Sequence, residues 1–263
     1  MTQLSRIEWT EATWNPTVGC TKISPGCKNC YAEAMAKRLQ AMGTPGYANA
    51  FKLTLLPERL EEPIRRKKPT VYFVNSMSDL FHKNVPDTYI DQVFDVIRRC
   101  PQHTFQVLTK RAERLASFFR NRVVPINAWI GVSVEDKKYG VPRIEYLRKV
   151  KARIRFLSVE PLLEDVGVLD LADIHWVIVG GESGPRARPM RLEWVENLRQ
   201  QCAEQSAQFF FKQWGGWGRT ASDDLRRQTD ACSTGVLGMQ CPSFHPTLEN
   251  CLVAQTIQLE EWA

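Results

Sequence analysis

Residues 70–79 read "TVYFVNSMSD": five β-branched or aromatic residues, then a sudden cluster of small polar ones. The apolar part is too short for a helix of ordinary length and too uniformly apolar for a half-exposed strand. It reads as a strand covered on both faces, the kind found in parallel sheets. The pattern repeats down the chain as "TFQVLT" (104–109), "AWIGVSV" (128–134), "IRFLSVE" (154–160), "HWVIVGG" (175–181) and "QFFFKQW" (208–214). Amphipathic segments lie between these runs, near 87–100, 110–120, 141–150 and 191–206, with another at 31–42. The segment from 191 carries apolar residues at 192, 195 and 198, close to the helical period. Pro86 and Pro142 stand where helices are expected to begin. Strands alternating with helices predict an α/β fold with a parallel sheet.

The polar residues choose between the two architectures that fit. They follow strand after strand: Ser76, Ser78 and Asp79; Lys110 and Arg111; Ser133 and Glu135; Glu160; Gly180, Gly181 and Glu182. Ligands of parallel sheets bind at the carboxyl ends of the strands. Contributions from so many strand ends suit a barrel mouth better than a single crevice. The expected fold is therefore a partial or full β/α (TIM-like) barrel over residues 1–218. From about 219 to 263 the rhythm stops, and an irregular C-terminal extension is expected.

At 263 residues, with 43% hydrophobic and 24% charged residues, the chain has ordinary globular composition. Its start lacks a basic-then-apolar signal pattern, and no apolar run approaches a membrane span, so a cytoplasmic protein away from membranes is expected. The net charge is +6, and residues 105–155 hold thirteen Lys or Arg against four Asp or Glu. That excess suits either a nucleic-acid-facing surface or solvated helix faces.

Eight cysteines are present, three of them in "GCTKISPGCKNC" (19–30) as C-x6-C-x2-C: Cys20, Cys27 and Cys30. Cys100 and Cys202 read as small buried hydrophobes on helices. The loop is rich in Gly, Pro and Asn, and a helix follows at its last cysteine. Three occupants compete. A structural zinc ion needs a fourth ligand, from His82 or a C-terminal cysteine. A redox pair would leave Cys20 unused. An iron–sulfur cluster with one iron left open explains the count directly, and the open iron would bind substrate or cofactor. Cys232, Cys241, His245 and Cys251 are a candidate second metal site, with spacing untypical of zinc or clusters.

A three-cysteine cluster at the start of a β/α barrel resembles the radical S-adenosylmethionine (SAM) enzymes, whose usual spacing is C-x3-C-x2-C. A closer resemblance is to a phage-associated three-cysteine family related to them. It is carried by "IEWTEATWNPTVGCTKISPGCKNCYAE" (7–33), "FVNSMSDLFH" (73–82), "GVSVED" (131–136), "FLSVEPLLE" (156–164), "VIVGGESGPRARPM" (177–190) and "FFFKQWGGW" (209–217). The resemblance implies a [4Fe–4S] cluster on Cys20, Cys27 and Cys30. It also implies SAM across the strand ends, cleaved to a 5′-deoxyadenosyl radical by an electron from an external donor. Ser76, Ser78, Asp79, Ser133, Glu135, Glu160, Gly180, Gly181 and Glu182 are then candidate SAM contacts. Among them, "SMSD" alternatively reads as a helix cap. Lys110, Arg111, Arg186 and Arg188 are candidate contacts to an anionic substrate, with nucleic acid or a nucleotide the class suggested by the basic stretch. Trp9, Trp14, Trp214 and Trp217 would either wall the cavity or fill the core.

Overall fold

The computed structural model describes residues 3–4 and 9–216. The chain opens with β1 (Gln3–Leu4), β2 (Ala12–Trp14) and β3 (Thr17–Val18), then α1 (Tyr31–Ala41) and β4 (Thr54–Leu55). The regular part follows: β5 (Val71–Val74), α2 (Asp87–Arg99), β6 (Thr104–Thr109), α3 (Ala112–Phe118), β7 (Ala128–Ser133), α4 (Arg143–Arg148), β8 (Ile154–Val159), β9 (Trp176–Gly180), α5 (Leu192–Glu204) and β10 (Gln208–Gln213). The six strands and five helices read from the sequence are all present, with ends shifted by a few residues. Pro86 and Pro142 are the N-cap residues of α2 and α4.

One sheet holds eight strands in the order β1-β2-β5-β6-β7-β8-β9-β10. Seven of them, β2 and β5 to β10, run parallel in sequence order, and β1 joins the edge antiparallel. The sheet curls into a half-barrel with β1 and β10 at its two edges, a partial TIM-like barrel. β3 and β4 form a separate two-stranded sheet. The short strands β1 to β4 carry too few residues to show a pattern, which is why only the six later strands were legible.

Alternation along each strand sorts the core into two layers. Tyr72, Val74, Phe105, Val107, Ile130, Val132, Leu157, Val159, Val177 and Val179 face the helices in the large outer core. α2 meets them with Ile90, Val93, Phe94 and Ile97, spaced to form one apolar face. The opposite face is lined by Phe73, Trp129, Phe156, Trp176 and Ile178, closed by Trp9. Trp9 packs edge-on against Phe73, with centroids 4.7 Å apart, and against Trp176 at 6.1 Å. Aromatic rings thus fill the concave side near the amino ends of the strands. Gly131 is required there, because a methyl group on it would lie 2.5 Å from the Phe156 ring.

The tryptophans divide accordingly. Trp9 plugs the concave side, Trp14 is in the outer core with its indole N–H donating to the Arg59 carbonyl, and Trp214 packs on Phe211. Cys100 and Cys202 are buried and free, as expected of small core residues. Trp217, the extension from 219 and the candidate second metal site lie outside the described residues. Among the described residues no helix is long and apolar enough to cross a membrane.

Candidate metal centre and the strand ends around it

The cysteine loop leaves the small sheet at Gly19, whose φ of +79° suits glycine and whose added methyl would sit 2.2 Å from the Lys52 carbonyl oxygen. Gly19 also forms a parallel bridge to Ser78. Cys27 closes a short 3-10 turn, Pro25–Cys27, and Cys30 is the N-cap residue of α1. The three thiols are half-buried and free of disulfides. Burial pushes the Cys20 thiol up to about 12, and the neighbouring Asp79 charge adds to that. Such a thiol stays protonated at neutral pH until a bound cation takes the place of its proton.

Side chains from three strand ends hold this loop, and a backbone carbonyl from a fourth holds the start of α1. After β7, Glu135 accepts a hydrogen bond from Ser24 Oγ at 2.8 Å. Its carboxylate also meets Lys110 Nζ at 2.9 Å and Arg143 of α4, and the residue is fully buried. Gly26 rests on the same carboxylate, for an added methyl would lie 2.4 Å from Glu135 Oε1. After β9, Glu182 accepts from Asn29 Nδ2 at 2.9 Å and from Arg188, whose guanidinium also reaches the Pro25 carbonyl at 3.0 Å. After β6, Arg111 donates to the Thr21 carbonyl and hydroxyl at 3.1 and 2.9 Å. After β5, the Ser76 carbonyl accepts from Tyr31 Oη at 2.5 Å.

The residues expected at the barrel mouth are therefore at the strand ends, but their partners lie within the protein. Asp79 accepts from Thr109 Oγ1 at 2.7 Å, Phe81 N at 3.0 Å and Lys110 N at 3.1 Å, and faces Arg111 at 3.6 Å. A carboxylate has about four acceptor positions, so these partners use its capacity. Asp79 pins a turn; α2 begins later, at Asp87, so "SMSD" is not that helix's cap. Ser78 Oγ donates to the Thr17 carbonyl at 2.8 Å, and Ser76 Oγ bonds Asn15 Oδ1 at 3.2 Å. Ser133 is buried, with its carbonyl taken by Arg143 at 2.6 Å. Glu160 meets Lys212 Nζ at 2.9 Å and packs against Gly180, where a methyl would come within 2.6 Å of its Oε1. Gly181 must be glycine because the Trp214 carbonyl passes 2.0 Å from any added methyl. Arg188 is consumed by Glu182 and the loop, whereas the Arg186 side chain is exposed and its carbonyl accepts from Asn29 at 2.8 Å.

Ser24, Asn29 and Arg143 are the site residues that sequence reading missed. A serine and an asparagine inside a turn-rich loop carry no signal of partners 111 and 153 residues away. Arg143 looks like any cation on a helix face until the fold buries it.

Burial raises the pKa of Glu135, but Lys110 and Arg143 outweigh it and hold the carboxyl below its usual value. For Glu182 burial is likewise outweighed, by hydrogen bonds from Arg188 and Asn29. Both groups thus add stability that is fully present above the ordinary carboxylate value of 4.5 and is lost as pH falls through their lower folded values. The melting temperature is expected to be flat from neutral pH to about 5 and to fall below it, with a shallower acid fall in Glu182→Gln, measured by circular dichroism.

The loop carries the three thiols that an iron–sulfur cluster would use. Among the described residues no three Cys, His, Asp or Glu side chains converge on one metal ion. His82, the candidate fourth zinc ligand, has both ring nitrogens engaged, Nε2 with Thr21 Oγ1 at 2.9 Å and Nδ1 with Asn84 N at 3.2 Å. A cluster makes a different demand, since each thiolate meets its own iron. Three free thiols on one loop supply that donor set.

The profile of a family described as "protein of unknown function (DUF5131)" matches residues 4–242. The chain belongs to DUF5131. No curated protein matches it by sequence. In structure the DUF5131 fold is similar to a cysteine-to-alanine variant of spore photoproduct lyase, with TM-score 0.53, 11% identity, and coverage of 83% of this chain and 79% of that one. A further such variant, holding a dinucleoside spore photoproduct, gives TM-score 0.51 at 11% identity with the same coverage. A radical SAM methyltransferase from Sphaerobacter thermophilus superposes more loosely, with TM-score 0.40, 14% identity, and coverage of 80% and 67%. At 11% identity the likeness to the two lyase variants shows a shared fold.

Proposed function

We propose that this DUF5131 protein is a radical SAM-type iron–sulfur enzyme. The observation that carries the reading is the cysteine loop: three free thiols held at the carboxyl ends of a half-barrel by side chains that follow three of its strands. Cys20, Cys27 and Cys30 would hold a [4Fe–4S] cluster. The bound cluster and SAM would supply reductive cleavage of SAM to 5′-deoxyadenosine, with the electron from an external donor and a hydrogen from the substrate. The chain's own part is to seat the loop through Glu135 and Glu182. It also presents Ser133, Glu160, Gly180 and Gly181 on the strand ends beside it, where SAM would lie.

A nucleic acid or nucleotide is the substrate class we favour. Support comes from exposed Arg186 near the loop and from the dinucleoside photoproduct held by one structural neighbour. The sequence resemblance to phage-associated three-cysteine proteins agrees with the cluster assignment.

The test is electron paramagnetic resonance on anaerobically reconstituted, dithionite-reduced protein with and without SAM, followed by chromatography for 5′-deoxyadenosine. A four-iron signal that changes with SAM, accompanied by cleavage product, is expected. A four-iron signal indifferent to SAM would leave a structural cluster. Stoichiometric zinc without iron would make this a metal-stapled nucleic-acid-binding protein.

A further inference from the structure

The thirteen cations of residues 105–155 do not form one surface. Seven are tied in ion pairs: Lys110, Arg111 and Arg143 at the cysteine loop, and Arg114, Arg122, Arg148 and Arg155 elsewhere. Three of the remainder, Arg120, Lys151 and Arg153, lie on the segments that lead into β7 and β8. They are joined by a run upstream of that stretch, "RRKK" at 65–68, which leads into β5. Because β5, β6, β7 and β8 are parallel neighbours, their leading segments lie side by side at the amino ends of the strands. This is the end of the half-barrel opposite the cysteine loop.

Arg65, Lys67, Lys68, Arg120 and Lys151 are exposed and Arg153 half-exposed. None of the six has an ion pair among the described residues. Asp91 and Asp95, acids of the neighbouring α2, are already engaged by Arg122 and by Arg98 and Arg99. Glu61 and Glu62 precede the run, which still leaves a cationic excess. Arg66 adds a buried guanidinium Nε with no hydrogen-bond partner. Four neighbouring strands span about 14 Å at about 4.8 Å per spacing. Duplex DNA presents about one charge per 1.7 Å, so a row of this width faces several phosphates at once.

We infer that the amino-end face of β5 to β8 binds the phosphate backbone of nucleic acid, without sequence preference and apart from the cysteine site. A lipid surface fits less well, because membrane-binding faces carry a broad apolar stripe. Here the large exposed apolar residues are Val123 and Ile126, on a single loop. The contact needs no cluster and does not rest on the enzymatic reading.

The test is fluorescence anisotropy of a short labelled DNA duplex of mixed sequence with the full chain across a salt series. Wild type is compared with Lys67→Gln/Lys68→Gln/Lys151→Gln, and with Lys137→Gln/Lys138→Gln, which alters exposed cations at the other end of β7. Wild type is expected to bind with a steep salt dependence. The triple variant should bind at least about tenfold more weakly at low salt, with a log–log slope shallower by about 2.7, for three contacts at about 0.9 each. The double variant should bind as wild type, and circular dichroism should show all three equally folded. The inference is overturned if wild type does not bind the duplex at low salt, or if the triple variant binds as tightly. It is equally overturned if the double variant loses as much, or if the chain prefers anionic vesicles and Val123→Asp abolishes that preference.

Discussion

Replacing any one of Cys20, Cys27 or Cys30 with alanine is expected to abolish cluster assembly. Anaerobically reconstituted wild-type protein should hold about four iron atoms per chain, and each single variant fewer than about one. The reason is geometric. The loop is fixed by bonds to Glu135, Glu182 and Arg111, so no other cysteine among the described residues can swing in as a substitute. The other cysteines among the described residues, Cys100 and Cys202, are buried in the outer core. Cys100→Ala is therefore the matching control and should retain its iron. Iron and sulfide assays decide the matter, and iron retained in all three single variants would remove these cysteines from the site.

The second large effect concerns Glu135. Its carboxylate is buried between Lys110 and Arg143, so Glu135→Ala leaves two cations facing each other without their anion. Breaking such a pair costs about 3–5 kcal/mol. For a domain of this size that corresponds to a fall in melting temperature of roughly 6–20 °C. Glu135→Gln keeps the shape and the acceptor for Ser24 but removes the charge, and should fall in between. The Cys27 thiol should also become more reactive toward iodoacetamide in Glu135→Ala, because Ser24 and Gly26 lose their seat. An unchanged melting temperature in Glu135→Ala would mean that the three charges do not act as a unit.

The sheet was legible because parallel strands buried on both faces must be apolar along their whole length, and "TVYFV" or "HWVIVG" fits nothing else of that length. That the three cysteines share one loop ahead of a helix was legible from the Gly, Pro and Asn around them and the helical pattern after Cys30. The roles of the strand-end residues were not. A polar residue after a strand can face a ligand or another part of the chain, and local sequence is the same in both cases. Asp79 shows this plainly, since the partners that occupy it at Thr109, Lys110 and Arg111 come from the neighbouring strand's end. The basic stretch left both of its readings open for a similar reason. Seven of its cations point to acids that only the fold brings near, while "RRKK" at 65–68 gains its neighbours only through strand order.

The bonds that hold the cysteine loop reach far along the chain: Ser24 to Glu135 spans 111 residues, Asn29 to Glu182 spans 153, and Arg188 to Pro25 spans 163. A ribosome adds roughly 5–20 residues per second, so the thiols leave it on the order of 10–30 s before the last of these partners exists. During that interval the nascent loop is unheld and its sulfurs are open to oxidants and stray metals. Loading of the proposed cluster would therefore belong at the end of the protein's manufacture, once the second half of the barrel has been made.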